Sequence, residues 1–411
     1  MAPLKKNLFA LTASLILHYI DSMIRAGVGL SKNPATERAA EDAAARAMQQ
    51  AGIDRADLAL VFFTADHAPA ADPLAAALRR TTKTDAIVGS SAAGVLTGEG
   101  EVEGRAGLAV LALSCDNIAF HPFLHRPLRA HEGRIGMEIA RTVPAGKESL
   151  LVAFPDAYNV EPRAFFRGAE EAGFVPMVGA GSAENGTLGK TFQLCGDTVA
   201  SNAVAGFLMS GGFSPTIDIT QGCRPITPPM TITKTEGNLI LEIDHRPAFE
   251  AFAGVVKGPL LENLGRALNY IFVGLPADRA KNELAPGEYL VRNIIGLDPA
   301  RGIIAVAEEI FEGERLWFTL RDGERAREDL EQMLERRAAA LEKPPAFGLY
   351  FNCCARGKSL YGLDDIDSAF IHRALGDFPL IGIFGGFEIG PLGRKNHLFA
   401  YTGVLALIDE K

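Results

Sequence analysis

SLLVAFPD, Ser149–Asp156, and VPMVGAGSAENG, Val175–Gly186, stand on either side of the amphipathic stretch PRAFFRGAEEAG, Pro162–Gly173. Continuous apolar runs of strand length, bounded by turn residues and alternating with a helix, read as buried strands with helices on their faces. The same order occurs three times. The first copy has LALVFFTAD (Leu58–Asp66), the helix ADPLAAALRR, and AIVGSSAAG (Ala86–Gly94). The third has FGLYFNCCARG (Phe347–Gly357), the helix DIDSAFIHRALG, and FPLIGIFGGFEIG (Phe378–Gly390). In each copy the second apolar strand reaches a glycine, Gly89, Gly179 or Gly382, and a turn-rich stretch follows. A further strand then comes without a helical pattern before it: GLAVLALS (Gly107–Ser114), AVAGFLMSG (Ala203–Gly211) or AYTGVLALID (Ala400–Asp409). Part of each sheet is therefore expected to be antiparallel, which gives a mixed α/β class with a repeated strand-helix-strand unit rather than a doubly wound parallel sheet.

Between the second and third copies, Thr216–Asp244 alternates apolar and polar residues around Glu236-Gly237-Asn238 and reads as a β-hairpin, followed by a helix in RPAFEAFAGVV. A boundary near His245 divides the chain into an α/β domain over 23–245 and a second over 246–411. Residues 1–22 stand apart. Leu8–Ile20 is too short an apolar run to span a bilayer, and MIRAGVGLS, from Met23, reads as the first strand.

The 411 residues are 48% apolar, enough for roughly two or three cores, and the net charge of −9 leaves no basic stripe for nucleic acid. Five cysteines with no CxxC spacing argue against a disulfide frame or a zinc site and for a reducing, cytoplasmic location. His121, His125 and His131 are separated by Pro122 from any common helix, so no metal is expected. No cofactor is expected either. GSSAAGVL (Gly89–Leu96) and GSAENGTL (Gly181–Leu188) lack the Lys-Ser/Thr of a phosphate loop, and Glu184 stands five residues before GKT, where such a loop has glycine.

The candidate ligand contacts are the small-residue runs after the buried strands (Gly89, Ser90, Ser91, Gly179, Gly382) and the polar residues where the third copy's strands end. Consecutive backbone N–H groups in such runs can hold anions, while the plainer account is tight turns. Asn352, Cys353, Arg356 and Gly357 follow the strand. Asp364, Asp365 and Asp367 read as caps of the next helix. Glu388 is a lone acid before Gly390. Arg356 with Glu388 would match the carboxylate and ammonium of an amino acid, and Arg356 could instead lower the pKa of a nucleophilic Cys353.

These segments resemble the FIST family, a two-part sensory module of FIST N and FIST C domains. The matching residues are GCRPI (Gly222–Ile226, with Arg224), EGNLILEIDHRPAFE, NCCARG (Asn352–Gly357), FGGFEIGP (Phe384–Pro391) and DAIVGSSAAGVLTGEGEVEG (Asp85–Gly104). The chain departs from the family pattern at Gly386-Phe387 and Cys354-Ala355, where relatives tend to carry Asn-Gly. The resemblance implies a bacterial signal-input protein that binds a small molecule, such as an amino acid or its derivative. Its output is expected in trans through a protein partner, and neither nucleic acid nor a membrane is expected as a partner. Two other functions compete: an enzyme using Cys353 on a small carbonyl metabolite, and a protein-binding scaffold.

Overall fold

The computed structural model describes residues 24–278 and 287–411; the apolar stretch Leu8–Ile20 lies outside them. The three sequence copies form three six-stranded sheets with one common strand order. In the first sheet Leu58–Thr64 runs parallel to Ile87–Ala92 and antiparallel to Leu108–Cys115, with Ile24–Ser31 outermost. Glu148–Pro155, Met177–Ala180, Val204–Gly211 and Ile118–His125 repeat this arrangement in the second sheet. Phe347–Cys353, Leu380–Gly385, Thr402–Glu410 and Phe213–Gln221 repeat it in the third. The mixed pairing follows from the two kinds of connection: a helix carries the chain back for the parallel pair, and the helix-free segment brings the next strand in antiparallel.

The turn-rich stretches after the second strands form hairpins or hairpin-like strand pairs, and none of them stays on its own sheet. Gly94–Thr97 and Gly100–Glu103, from the first unit, pair onto the third sheet through Leu380–Gly385. Glu388–Leu392 and Lys395–Phe399, from the third unit, pair onto the second sheet through Met177–Ala180. Gln193–Cys195 and Thr198–Ala200, from the second unit, pair onto the first through Ile87–Ala92. The exchange is cyclic. Each unit covers the edge that a neighbour would otherwise leave open.

Phe62, Phe154 and Phe351 occupy the same place in the three units and are all fully buried. Phe62 meets Phe154 edge-on at 5.1 Å between ring centres, and Phe154 meets Phe351 at 6.1 Å. They belong to one apolar core that draws residues from all three sheets. The preceding residues, Val61, Ala153 and Tyr350, lie beside Gly89, Gly179 and Gly382.

Those three glycines are not the turn positions expected of them; they sit inside strands. A Cβ at Gly89, Gly179 or Gly382 would stand 2.2, 1.9 or 2.5 Å from the carbonyl oxygen of Val61, Ala153 or Tyr350. The parallel strands approach closely there, and this packing accounts for glycine in all three repeats.

Helices lie between the strands as the periodicity predicts: Ala71–Thr82, Pro162–Glu171 and Ile366–Leu375 join the parallel pairs. The outermost strands of the first two units lead into helices Thr36–Ala51 and Glu132–Ala140. The third unit is interrupted. After Phe213–Gln221 the chain builds a separate sheet of nine described strands, between Cys223 and Arg321, before returning to helix Gly323–Ala340. The expected hairpin is Met230–Glu236 with Leu239–Ile243, turning at Gly237, and the helix after it is Ala248–Val255. The sequence division near His245 falls within this inserted sheet.

Gly89→Ala, Gly179→Ala and Gly382→Ala should each lower unfolding free energy by about 1–3 kcal/mol, the usual cost of forcing an extra carbon into a packed core. Gly254→Ala, at a helical position with open space around it, should change stability by no more than about 1 kcal/mol. Urea melts of the four variants check the contrast; equal effects would contradict it.

Candidate functional site

Strand Phe347–Cys353 ends in a turn that folds Arg356 back beneath the sheet, where its side chain is 0% exposed. A buried guanidinium needs a compensating charge and full hydrogen bonding. Asp367 supplies the charge and part of the hydrogen bonding: Arg356 Nε donates to its Oδ2 and Nη2 to its Oδ1, each at 3.3 Å. The same carboxylate accepts from Tyr350 Oη at 3.0 Å, Asn352 Nδ2 at 2.7 Å and Tyr361 Oη at 2.8 Å. Arg356 Nη2 also donates to Tyr361 Oη at 2.7 Å.

Asp367 therefore holds the turn inward instead of capping its helix. Nor does the rest of the acid run cap as expected. Asp365 occupies the cap position without a side-chain cap bond, and its Oδ1 accepts from the backbone of Glu101 at 2.6 Å; Asp364 pairs with Lys358 at 3.2 Å.

The hairpin borrowed from the first unit seals this cluster. Glu101 Oε1 accepts from the Ser368 amide at 2.9 Å, and Glu103 Oε1 from the Lys358 amide at 2.9 Å. Gly357 has φ 55°, and a Cβ there would stand 2.3 Å from Glu103 Oε1, so this position requires glycine. Burial, with the Asp367 charge second, pushes the Glu101 carboxyl up to about 8.

Glu388 is also fully buried. Its Oε2 accepts from the Thr402 amide at 3.1 Å and hydroxyl at 2.6 Å, while burial pushes the carboxyl far above its usual range. Glu388 Oε1, Asn352 Oδ1 and Arg356 Nη1 have no hydrogen-bond partner among the described residues.

The sequence candidates separate into groups. Asn352, Cys353, Arg356 and Gly357 gather where the third sheet's strand Phe347–Cys353 ends, and Glu388, on the strand that crosses to the second sheet, reaches this region through Thr402, with Gly390 following on the same strand. Arg356 and Glu388 are nevertheless closed off from solvent, and Arg356 is already clasped by Asp367, so they do not stand open to an amino acid. Arg224 is exposed and pairs with Asp322 at 3.1 Å. Gly89, Gly179 and Gly382 lie in three different sheets, each against its own partner strand. Ser91 accepts from the Phe192 amide at 3.0 Å and Ser90 donates to the Ser91 carbonyl at 3.3 Å, so both serve the seam with the borrowed strand pair.

Cys353 is buried, and its hydrogen bond to Cys354, together with burial, holds its thiol protonated well above the usual range. Of the two, Cys354 is the exposed residue. The histidines nearest the cysteines in sequence lie elsewhere: His372 faces Asp377 at 3.9 Å, and His397 is on the borrowed strand Lys395–Phe399.

A large cleft, about 1240 Å³, opens between the second unit and the inserted sheet. Helix Pro162–Glu171 and the borrowed strand Lys395–Phe399 form one wall, and residues 290–295 and 306–309 form the other. An ion-pair network spans it. Arg163 binds both Glu308 and Glu309, and Arg292 Nε donates to Glu308 Oε2 at 2.8 Å. Burial opposes ionisation of Glu308, but Arg292 and Arg163 hold its carboxyl below the usual range.

Arg167, Glu170 and Lys395 line the same cleft and make no ion pair among the described residues. Burial, Arg292 and Lys395 lower the His397 imidazole to about 4, which keeps it neutral. Gly386, Asn293 and Ala400 also line the cleft. Tyr401 Oη donates to Asn293 Oδ1 at 2.7 Å, and the Cys354 amide donates to the Gly385 carbonyl at 2.8 Å, so the cysteine turn adjoins these lining residues.

Sequence reasoning did not find the cleft. Arg163, Arg167 and Glu170 recur at helical spacing opposite the buried Phe165, Phe166 and Ala169, which marks a polar face. That spacing cannot show that the inserted sheet covers it.

Glu101 gives a pH test. Its folded pKa of about 8 lies above the unfolded value of 4.5, so the native state holds the extra proton. Its contribution is complete below about pH 4.5 and is lost as pH rises through 8. Thermal or urea melts between about pH 5 and pH 9 should show stability falling by up to about 1.4 kcal/mol per pH unit for this proton. Glu101→Gln should flatten that slope; an unchanged slope would contradict the assignment.

Two family matches divide the chain: the FIST N domain matches residues 57–246 and the FIST C domain residues 248–391. Relatives include the uncharacterized protein Rv0628c of Mycobacterium tuberculosis, 30% identical over 388 residues, covering 93% of this chain and 99% of that protein. The uncharacterized protein Mb0898c of Mycobacterium bovis is 27% identical over 387 residues, covering 93% and 98%. Among the described residues no helix is long and apolar enough to cross a membrane, and no cluster of His, Cys, Asp and Glu is arranged to hold a metal ion. The three repeated sheets, the inserted sheet and these matches together make the chain a member of the FIST family, whose domains are sensory, ligand-binding modules of signal transduction.

Proposed function

We propose that this protein is a cytoplasmic bacterial sensor that binds a small zwitterion, an amino acid or derivative, in the cleft between the second unit and the inserted sheet. Occupancy is then read by a signalling partner in trans. The observation that carries this reading is the cleft's mixed, unspent charge. Arg167 and Lys395 offer donors to a carboxylate, and Glu170 offers an acceptor to an ammonium, beside an Arg163–Glu308–Arg292 network that already satisfies itself. A few convergent polar groups in a large concavity are the ordinary form of a small-molecule site. At about 1240 Å³ the cleft has more room than a single amino acid fills, which favours a larger derivative or one bound with water.

In this account the buried Asn352–Arg356–Asp367 cluster and Glu388 do not touch the ligand. They fix the turn beside the cleft lining, where Cys354 is hydrogen-bonded to Gly385 and Gly386 forms part of the wall. Ligand closure against the inserted sheet would change the surface that a partner meets.

Thermal-shift measurements against amino acids, amines and simple carboxylates test the reading. At one hundred times its dissociation constant, a ligand adds about 2.7 kcal/mol of stability. A zwitterion should stabilise the wild type, and the combined variant Arg167→Ala and Lys395→Ala should lose that shift while its ligand-free melting is little changed. No shift with any zwitterion would move the reading to a protein-binding scaffold.

A further inference from the structure

The vicinal thiols Cys353 and Cys354 have no part in the ligand contacts above. Consecutive side chains in a strand point to opposite faces. Here the strand ends at Cys353 and the chain turns at Cys354. Cys354 is an exposed residue and Cys353, its neighbour in the chain, is buried. That is the arrangement of an attacking thiol with its resolving partner.

We propose that Cys354 and Cys353 form a peroxide-sensitive dithiol that closes to a vicinal disulfide. The Cys354 thiolate attacks one oxygen of hydrogen peroxide; an S–O bond forms, the O–O bond breaks, and the departing hydroxide takes a proton to become water. Cys354 is now a sulfenic acid, oxidised by two electrons. The Cys353 sulfur then attacks it, the S–S bond forms, the S–O bond breaks, and the leaving hydroxyl departs with the Cys353 proton as a second water. Two thiols and one peroxide give one disulfide and two waters.

The other thiols are poorly suited to the first step. The hydrogen bond from Cys353 lowers the Cys354 thiol against the opposing effect of burial, whereas burial raises Cys115 to about 12 and Cys195 to about 11. Cys223 is buried and raised as well. The eight-membered ring encloses the peptide whose N–H donates to the Gly385 carbonyl, so closure must turn that group away from the residue preceding Gly386 in the cleft wall. An effect on ligand binding rests on the cleft reading; the dithiol chemistry does not.

The test treats the reduced full-length protein with hydrogen peroxide, unfolds it in N-ethylmaleimide and maps the peptides by mass. The peptide carrying both cysteines should lose two hydrogens and take up no maleimide, while Cys115, Cys195 and Cys223 are alkylated. Before oxidation, native Cys354 should alkylate at least about tenfold faster than Cys195. In Cys353→Ser the sulfenic acid should persist at position 354 and react with dimedone. The proposal is overturned if Cys354 reacts no faster than Cys195. Oxidation of Cys354 to a sulfinic acid, or its bonding to Cys223 with Cys353 still reduced, overturns it as well. The wild-type measurements decide the matter even if a variant fails to fold.

Discussion

An unpaired strand edge is a liability, and the way this chain removes three of them organises everything else. Each unit builds a parallel pair whose second strand would end a sheet with free N–H and C=O groups. Two strands from another unit cover that edge in every case, so no unit completes its sheet alone. The exchange closes a cycle around Phe62, Phe154 and Phe351, which bury their rings against one another at its centre. The result is a frame in which a change in one unit is felt at the edge of the next.

The inserted sheet breaks this symmetry. It enters the third unit between the outermost strand and its helix, and it faces the second unit across the cleft. The borrowed strands of the third unit also lie on the second sheet, so the third unit's chain contributes Lys395, His397 and Gly386 to the lining opposite the inserted sheet. The buried Arg356–Asp367 pair acts locally in this design. Taking two charges out of water is costly unless their remaining donors and acceptors are met. Tyr350, Asn352 and Tyr361 meet them on the aspartate side, and the turn that carries Cys354 is thereby held in one shape.

Much of this was legible in the residues. Continuous apolar runs and period-3.6 patterning marked the parallel pairs and their helices, and the helix-free segments marked the antiparallel returns. The repeated glycines were real signals, but of close strand approach at Val61, Ala153 and Tyr350 instead of turns around a ligand. The exchange itself was hidden, because a short strand's pattern shows which face is buried and not which edge it will join. The same limit applied at the site. Arg356 and Asp367 were visible as individual charges, but an acid at a helix start also fits a cap, and only the three-dimensional turn shows it accepting from Arg356. The cleft's Arg167 and Glu170 gave a polar helix face, whose meaning depends on a sheet inserted more than fifty residues later in the chain.

The central claim is that the ligand site is the cleft and not the buried strand-end cluster. Hydrogen–deuterium exchange with a stabilising zwitterion separates the two most directly. Protection should appear in helix Pro162–Glu171, residues 289–295 and the strand Lys395–Phe399, with residues 350–368 unchanged. Protection confined to residues 350–368, leaving the cleft walls as they were, would contradict the account.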